Sequence, residues 1–323
     1  MKISLLLITI ILLYADCFAQ NYTIEETYFQ SDSITIFADI YKPSNPTNKN
    51  TGIALIQGSG NSDRTNLWAK SFAEFLAANG YYVLFPDKRG CGKSGGDWKT
   101  SSFQDLANDA VASVNHLRKK INLDLVGVMG LSQGGFIAPV AAIEDTSINF
   151  VINIVGAAVT LEEQISHEIS NTARKEGLRP NQIKEVLALH VLMRDYAINR
   201  NWKPLEKRFS ELKNSGWADF AATFPNKPDL WIWDWVKMNL NFNPMDYWVK
   251  AKQPVFVAYG SKDEQDNMPV YESVYRLQKG FHELNKINFR IEVYPCGHAM
   301  YEDDKAELRK EFLNDLLEWL KRL

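Results

Sequence analysis

Asp124-Leu-Val-Gly-Val-Met-Gly-Leu-Ser-Gln-Gly-Gly-Phe-Ile-Ala138 begins as a short apolar run suited to a buried strand and passes directly into Gly130-Leu131-Ser132-Gln133-Gly134. Small apolar residues at helical density follow. A serine pinched between a strand and a helix is forced into a strained backbone conformation, and glycines two places either side let strand and helix approach. Its hydroxyl is then expected at the strand's C-terminal end, beside the N-terminus of the next helix. A Gly-x-Ser-x-Gly pattern arises by chance often enough that it decides little alone; its partners must come from the rest of the chain.

On the N-terminal side, Tyr22 to Tyr41 alternates apolar and polar residues around Ser31-Asp32-Ser33, the pattern of a hairpin. A surface loop from Ser44 to Thr51 precedes a buried strand, Gly52 to Gln57, which ends in Gln57-Gly58-Ser59-Gly60. A helix is expected from Leu67 to Asn79 and a strand from Tyr81 to Phe85. The strand opens into Asp87-Lys-Arg-Gly-Cys-Gly-Lys-Ser94-Gly-Gly96, whose spacing is wrong for a phosphate loop. A structural turn with Asp87 or Arg89 in an internal ion pair is expected there instead. Ser102 caps a helix whose apolar residues, from Phe103 to Ile121, recur at helical spacing. Beyond the opening stretch, Phe150 to Val155 is another buried strand. Alternation of this kind implies an α/β fold, a mostly parallel sheet with helices on both faces.

From Thr160 to Trp248 the rhythm gives way to a helical, charged, tryptophan-rich segment, expected as a lid inserted over the sheet edge. Thr160-Leu-Glu-Glu163 is a capping box, and Asn181 to Tyr196 is amphipathic. The tryptophans of Leu230-Trp-Ile-Trp-Asp-Trp-Val236 are expected to pack into a core, pocket lining being the alternative. The sheet resumes with a strand at Pro254 to Tyr259, a helix at Pro269 to Lys286, a strand at Phe289 to Tyr294 and a last helix from Asp303 onward. The expected organisation is therefore a leader at 1–19, a core at 20–159 and 249–323, and the insertion at 160–248.

The leader reading rests on Lys2, the apolar Ile3 to Leu13, and Cys17-Phe18-Ala19 as small residues before a cleavage at Gln20. That apolar run is shorter than the roughly 18 residues a membrane span needs, so export to the periplasm or medium is expected. Lipid attachment at Cys17 is the competing reading, although Tyr14-Ala15-Asp16 matches a lipobox poorly. With 323 residues, 46% of them hydrophobic, the chain can bury a large core. A net charge of −3 without any basic cluster argues against nucleic acid or an anionic membrane as partner. No cluster has metal-ligand spacing, so neither metal nor cofactor is implied. Cys91 and Cys296 follow strands five sheet positions apart, about 24 Å, too far for the roughly 7 Å reach of a disulfide.

Three strands end in Ser132, Asp263 and His298, and in a parallel sheet those ends share one edge. Nucleophilic catalysis needs a base for the hydroxyl proton and a carboxylate to hold that base in the right tautomer. His116 is expected solvated, His167 and His190 lie in the insertion, and His282 falls late in a helix, which leaves His298 as base. Glu264 and Asp266 are near enough to stand in for Asp263, but the spacing from Gly260 favours Asp263.

With these residues in place, nearly the whole chain after the leader resembles the α/β-hydrolases. Gly130 to Gly134 is similar to their nucleophile elbow, and Asp87 to Ser94 to their Asp-x-Arg-Gly-x-Gly-x-Ser loop. Asn243-Pro244 through Gly260-Ser-Lys-Asp263 resembles their return from lid to acid, and Gly297-His298 their histidine turn. Where the superfamily often has His-Gly after the third strand, this chain has Gln57-Gly58. Gly58-Ser-Gly-Asn-Ser-Asp-Arg64 resembles a group of bacterial carboxylesterases instead. By position, that resemblance makes the amides of Ser59 and Gln133 the oxyanion hole.

A serine esterase acting on a small-molecule ester, with short to medium acyl chains, is the activity the resemblance implies. The alternative is an aminopeptidase of the prolyl-iminopeptidase type, which needs lid carboxylates for the substrate amine; Glu162, Glu163 and Glu168 are available, Glu163 already serving as a cap. A non-catalytic binding protein is the third reading, disfavoured because both Ser132 and His298 are present. Epoxide hydrolases and dehalogenases of this fold need an aspartate at position 132.

Overall fold

A computed structural model describes residues 21–323, so the expected leader, Met1 to Ala19, lies outside the described residues. Strands β1 (Tyr22–Ser31) and β2 (Ile34–Pro43) pair antiparallel around Asp32, whose φ of 49° an aspartate tolerates in a tight turn. There follow β3 (Thr51–Ile56), α1 (Leu67–Ala78), β4 (Tyr82–Pro86), α2 (Phe103–Lys120), β5 (Leu125–Leu131), α3 (Gln133–Glu144) and β6 (Phe150–Ile154). Six helices come next: α4 (Leu161–Lys175), α5 (Pro180–Asn199), α6 (Lys203–Leu212), α7 (Ala218–Ala222), α8 (Ile232–Asn239) and α9 (Met245–Trp248). Strand β7 (Val255–Gly260), helix α10 (Val270–Glu283), strand β8 (Phe289–Tyr294) and helix α11 (Lys310–Leu320) complete the chain.

The eight strands form one open sheet in the order β1-β2-β4-β3-β5-β6-β7-β8, parallel from β4 to β8. The parallel strands β3, β5, β6 and β7 are almost wholly apolar because helices cover both faces. Phe72 and Leu76 of α1 share one core with Phe312, Leu316 and Trp319 of α11. Leu106 and Val114 of α2, Phe136 of α3 and Leu277 of α10 share another. The direction in which successive strands are added to the sheet reverses between β3, which is followed by β4 on one side, and β5, which is followed by β6 on the other. Crevices at such reversal points, at the strands' C-terminal ends, are where ligands bind in open α/β sheets.

The expected capping box at Thr160 forms, and the expected cap at Ser102 proves to be one as well. Ser102 and Asp105 close the start of α2, and Thr160 and Glu163 the start of α4, each by reciprocal side-chain and backbone hydrogen bonds. The inserted helices hold an apolar cluster of their own, including Val186, Leu189, Trp217 and Trp233. The tryptophans of α4 to α9 and their connections divide: Trp217 and Trp233 are buried, whereas Trp231 is 39% exposed. Among the described residues no helix is long and apolar enough to cross a membrane. Cys91 and Cys296 are both buried and unpaired.

Two expectations need correction. His116 is half-buried, with Nε2 2.8 Å from Thr27 Oγ1 and its ring stacked 5.0 Å from that of Phe29. The β1-β2 hairpin covers that side of α2, and burial pushes the imidazole below its ordinary range. The last helix starts at Lys310 rather than Asp303. Before it, Tyr301 bridges to Leu308, and Glu302 accepts the backbone N–H of Lys310 at 3.0 Å, so 301–309 is a closed loop.

Candidate active site

The opening stretch folds as β5 and α3 with Ser132 at the junction, at φ 53° and ψ −117°. A side-chain-bearing residue is strained there, and the surroundings hold it. Ser132 N–H donates to Ile154 C=O of β6 at 2.9 Å, and Gly135 N–H donates back to Ser132 C=O at 2.8 Å. The glycines answer to contact as well as conformation. A Cβ on Gly130 would strike the Gly134 carbonyl, and one on Gly134 would strike the Ile56 carbonyl of β3.

Asp263 sits in a single 3₁₀ turn after β7 and is fully buried. Oδ1 accepts from the Asn267 amide at 3.2 Å, and Oδ2 lies 2.5 Å from His298 Nδ1. The other ring nitrogen, Nε2, lies 3.0 Å from Ser132 Oγ. A carboxylate only accepts, so the Nδ1 proton points to Asp263 and leaves Nε2 free to accept from the serine hydroxyl. Lys262 N–H donates to Cys296 C=O at 2.9 Å, which ties the acid turn to the histidine loop. Of the alternative acids, Asp266 pairs with Lys175 at 2.6 Å, and Glu264 accepts from the Tyr271 amide at 3.0 Å. Neither is the partner of His298 Nδ1.

Ser59 and Gln133 line one cavity of about 200 Å³ with Ser132. Its walls are mainly apolar: Phe103 and Phe136 from the core, Ile165 and Trp235 from the insertion. Glu168 of α4 also faces it, and burial pushes that carboxyl above its ordinary range against the lowering field of His298. Glu162 and Glu163 are engaged elsewhere, with Arg194 at 3.2 Å and Arg276 at 2.7 Å.

The glycine-rich loop after β4 is a structural turn, and where one internal ion pair at Asp87 or Arg89 was expected, each residue makes its own. Asp87 accepts from Arg64 Nε at 3.0 Å and from the Lys93 amide at 3.0 Å, while Arg89 grips Asp109 at 2.6 and 2.8 Å. Two neighbours of the site were not foreseen. Trp68, at the start of α1, stands 5.9 Å from the His298 ring and donates to Ala299 C=O at 2.9 Å. Its place just after the Gly58-Ser59-Gly60 turn was the available signal. Lys88 is buried behind the same turn, and nothing in a charged loop of that composition marks one lysine as internal.

A family model described as serine aminopeptidase, S33, matches residues 55–197, the span from β3 through α5. Human dipeptidyl peptidase 8 is 31% identical over 177 residues, half of this chain, and the chain spans only about a fifth (19%) of that relative's length. In three dimensions, an esterase of Pyrococcus furiosus superposes with a TM-score of 0.60 at 18% identity, over 93% of this chain and 91% of that one. A proline iminopeptidase of Mycobacterium smegmatis gives 0.59 at 14% identity, over 92% and 98%. Identities this low carry the fold and leave the choice between those activities to the site.

Proposed function

We propose that this chain, which shares the fold of the α/β-hydrolases and matches the serine aminopeptidase model over 55–197, is a serine esterase cleaving carboxylic esters through an acyl-enzyme. The observation that carries this reading is the pair of contacts made by one imidazole, 2.5 Å to Asp263 and 3.0 Å to Ser132. Ser132 Oγ attacks the ester carbonyl while His298 Nε2 takes its proton, and Asp263 holds the ring and stabilises the imidazolium. Charge developing on the carbonyl oxygen falls to the amides of Ser59 and Gln133, fixed donors typically worth a few kcal/mol each. His298 returns the proton to the departing alcohol. Water then repeats the sequence and releases the acid.

Ester rather than peptide is supported by what faces the cavity. An aminopeptidase must hold a substrate ammonium with ionised carboxylates, yet of the three weighed only Glu168 lines this space. Burial disfavours its charged form. Apolar walls suit a short to medium acyl group. The segment 160–248 serves in this reading as the lid, and Met1 to Ala19 as the leader of an exported enzyme.

The test is turnover of p-nitrophenyl acetate and butyrate beside proline p-nitroanilide, with labelling by a fluorophosphonate. Ester turnover should dominate, and Ser132→Ala should abolish labelling and lower kcat by about 10⁴-fold. Faster anilide turnover would move the assignment to a peptidase, and undiminished activity of Ser132→Ala would end it.

A further inference from the structure

Behind the Gly58–Ser59 peptide lies a charge that the reaction just described does not use. Lys88, 7% exposed, donates from Nζ to Gly58 C=O at 2.9 Å, to Gly60 C=O at 3.3 Å and to Gln133 Oε1 at 2.8 Å. The Trp98 ring covers the ammonium with its centroid 5.2 Å away. Lys88 is anchored through its backbone too, its N–H donating to Ser62 C=O at 3.1 Å. Burial pushes the amine down to about 8, which leaves it largely protonated at neutral pH.

The oxygens it reaches are the informative part. Gly58 C=O and Ser59 N–H belong to one planar trans peptide and point in opposite directions. A donor that fixes the carbonyl therefore aims the amide away from itself, and it polarises that amide toward any acceptor in front. The third contact is to the side chain of Gln133, whose own backbone N–H is the other donor in the proposed oxyanion site. One ammonium thus joins the two residues whose amides must converge. Were only loop packing needed, an unbranched apolar side chain would fill the space without the desolvation of a buried charge.

We infer that Lys88 is a positioning residue of the oxyanion site, setting the Gly58–Ser59 peptide and Gln133 so that both amides meet the developing negative charge. The inference rests on the serine-esterase reading and adds a part that touches neither substrate nor nucleophile.

The test uses the full protein carrying Lys88→Met, which keeps the length and removes the charge. With p-nitrophenyl butyrate, kcat should fall about 10- to 100-fold while KM stays within about threefold, since the loss is confined to the transition state. The inhibition constant of a trifluoromethyl ketone, which binds as a tetrahedral oxyanion, should rise in proportion to the loss in kcat/KM. In Lys88→Ala, added propylammonium should restore part of kcat and propanol none, which separates charge from packing. The inference is overturned by a folded Lys88→Met with near-parental kcat, by an unchanged inhibition constant, or by equal rescue with propanol. It is also overturned if neither variant melts cooperatively, because the lysine is then a determinant of the fold alone. Parent protein that neither hydrolyses esters nor takes the fluorophosphonate would overturn the esterase reading itself, whereas parental turnover with an indifferent Lys88→Met removes only the role of Lys88.

Discussion

Glu163 accepts two hydrogen bonds from Arg276, each 2.7 Å, and so joins the first turn of α4 to α10 across the boundary between insertion and core. The same carboxylate closes the capping box with Thr160. Arg276 first, and Thr160 after it, hold the Glu163 carboxyl down at about 2 against an ordinary 4.5. A depressed carboxylate contributes stability that is present in full above the unfolded value and is lost as pH falls toward the folded one. The melting temperature of the parent should therefore decline between about pH 4.5 and pH 2 partly through this group, and Arg276→Met should flatten that part of the curve. With 45% of the Glu163 side chain exposed, screening limits the pair to less than about 1 kcal/mol. Identical acid limbs in thermal melts of parent and variant would remove the pair from the account.

Ser132 occupies a conformation that glycine adopts freely and serine does not. Ser132→Gly is expected to be more stable than Ser132→Ala by about 1 kcal/mol or more, although both lack the hydroxyl. Urea denaturation of the two variants measures the difference directly. Equal midpoints would mean that the turn is relaxed by other means and that the nucleophile position stores no strain.

The acid assignment separates cleanly by substitution. Asp263→Asn keeps the shape of the contact but turns His298 toward the wrong tautomer, and kcat should fall by about 10⁴-fold with KM little altered. Asp266→Asn and Glu264→Gln lose only a surface pair with Lys175 and a loop contact to Tyr271, and should leave kcat within about threefold. Steady-state kinetics on the three variants at one pH suffices. A loss at position 266 matching that at 263 would reopen the choice.

What could be read from sequence follows from where the relevant interactions lie. Strand-helix alternation, the caps at Ser102 and Thr160, and the turn at Asp32 are set within a few residues and need no knowledge of the fold. Ser132, Asp263 and His298 were legible because a parallel sheet brings its strand ends to one edge whatever the packing. Lys88 and His116 were not. Each looks solvated in its own segment and becomes buried only when other parts of the chain cover it, the Gly58–Gly60 turn and the Trp98 ring in one case and the β1-β2 hairpin in the other. The late start of α11 has a similar cause, since the bridge from Tyr301 to Leu308 competes with helix for the same residues. The division of the tryptophans between a core and a cavity is likewise tertiary, because Trp233 and Trp235 are neighbours in the chain and differ only in which way α8 faces.

Trp235 supplies the last test, which concerns chain length. It packs edge-on against Phe103 at 5.9 Å and closes the apolar side of the cavity from the insertion. Truncation to alanine removes that wall without touching Ser132, Asp263 or His298. Each added methylene accommodated in an apolar pocket changes discrimination by about 1–3 kcal/mol at most, so partial opening should shift the preference appreciably. In Trp235→Ala the ratio of kcat/KM for p-nitrophenyl octanoate to that for the butyrate is expected to rise by about 10-fold. Met238→Ala, an exposed position on the same helix, should leave the ratio at its parental value. If both variants move the ratio alike, the change reports a loosened α8 rather than a pocket wall. If neither moves it, the acyl chain lies elsewhere, and Trp235 serves only to pack against Phe103.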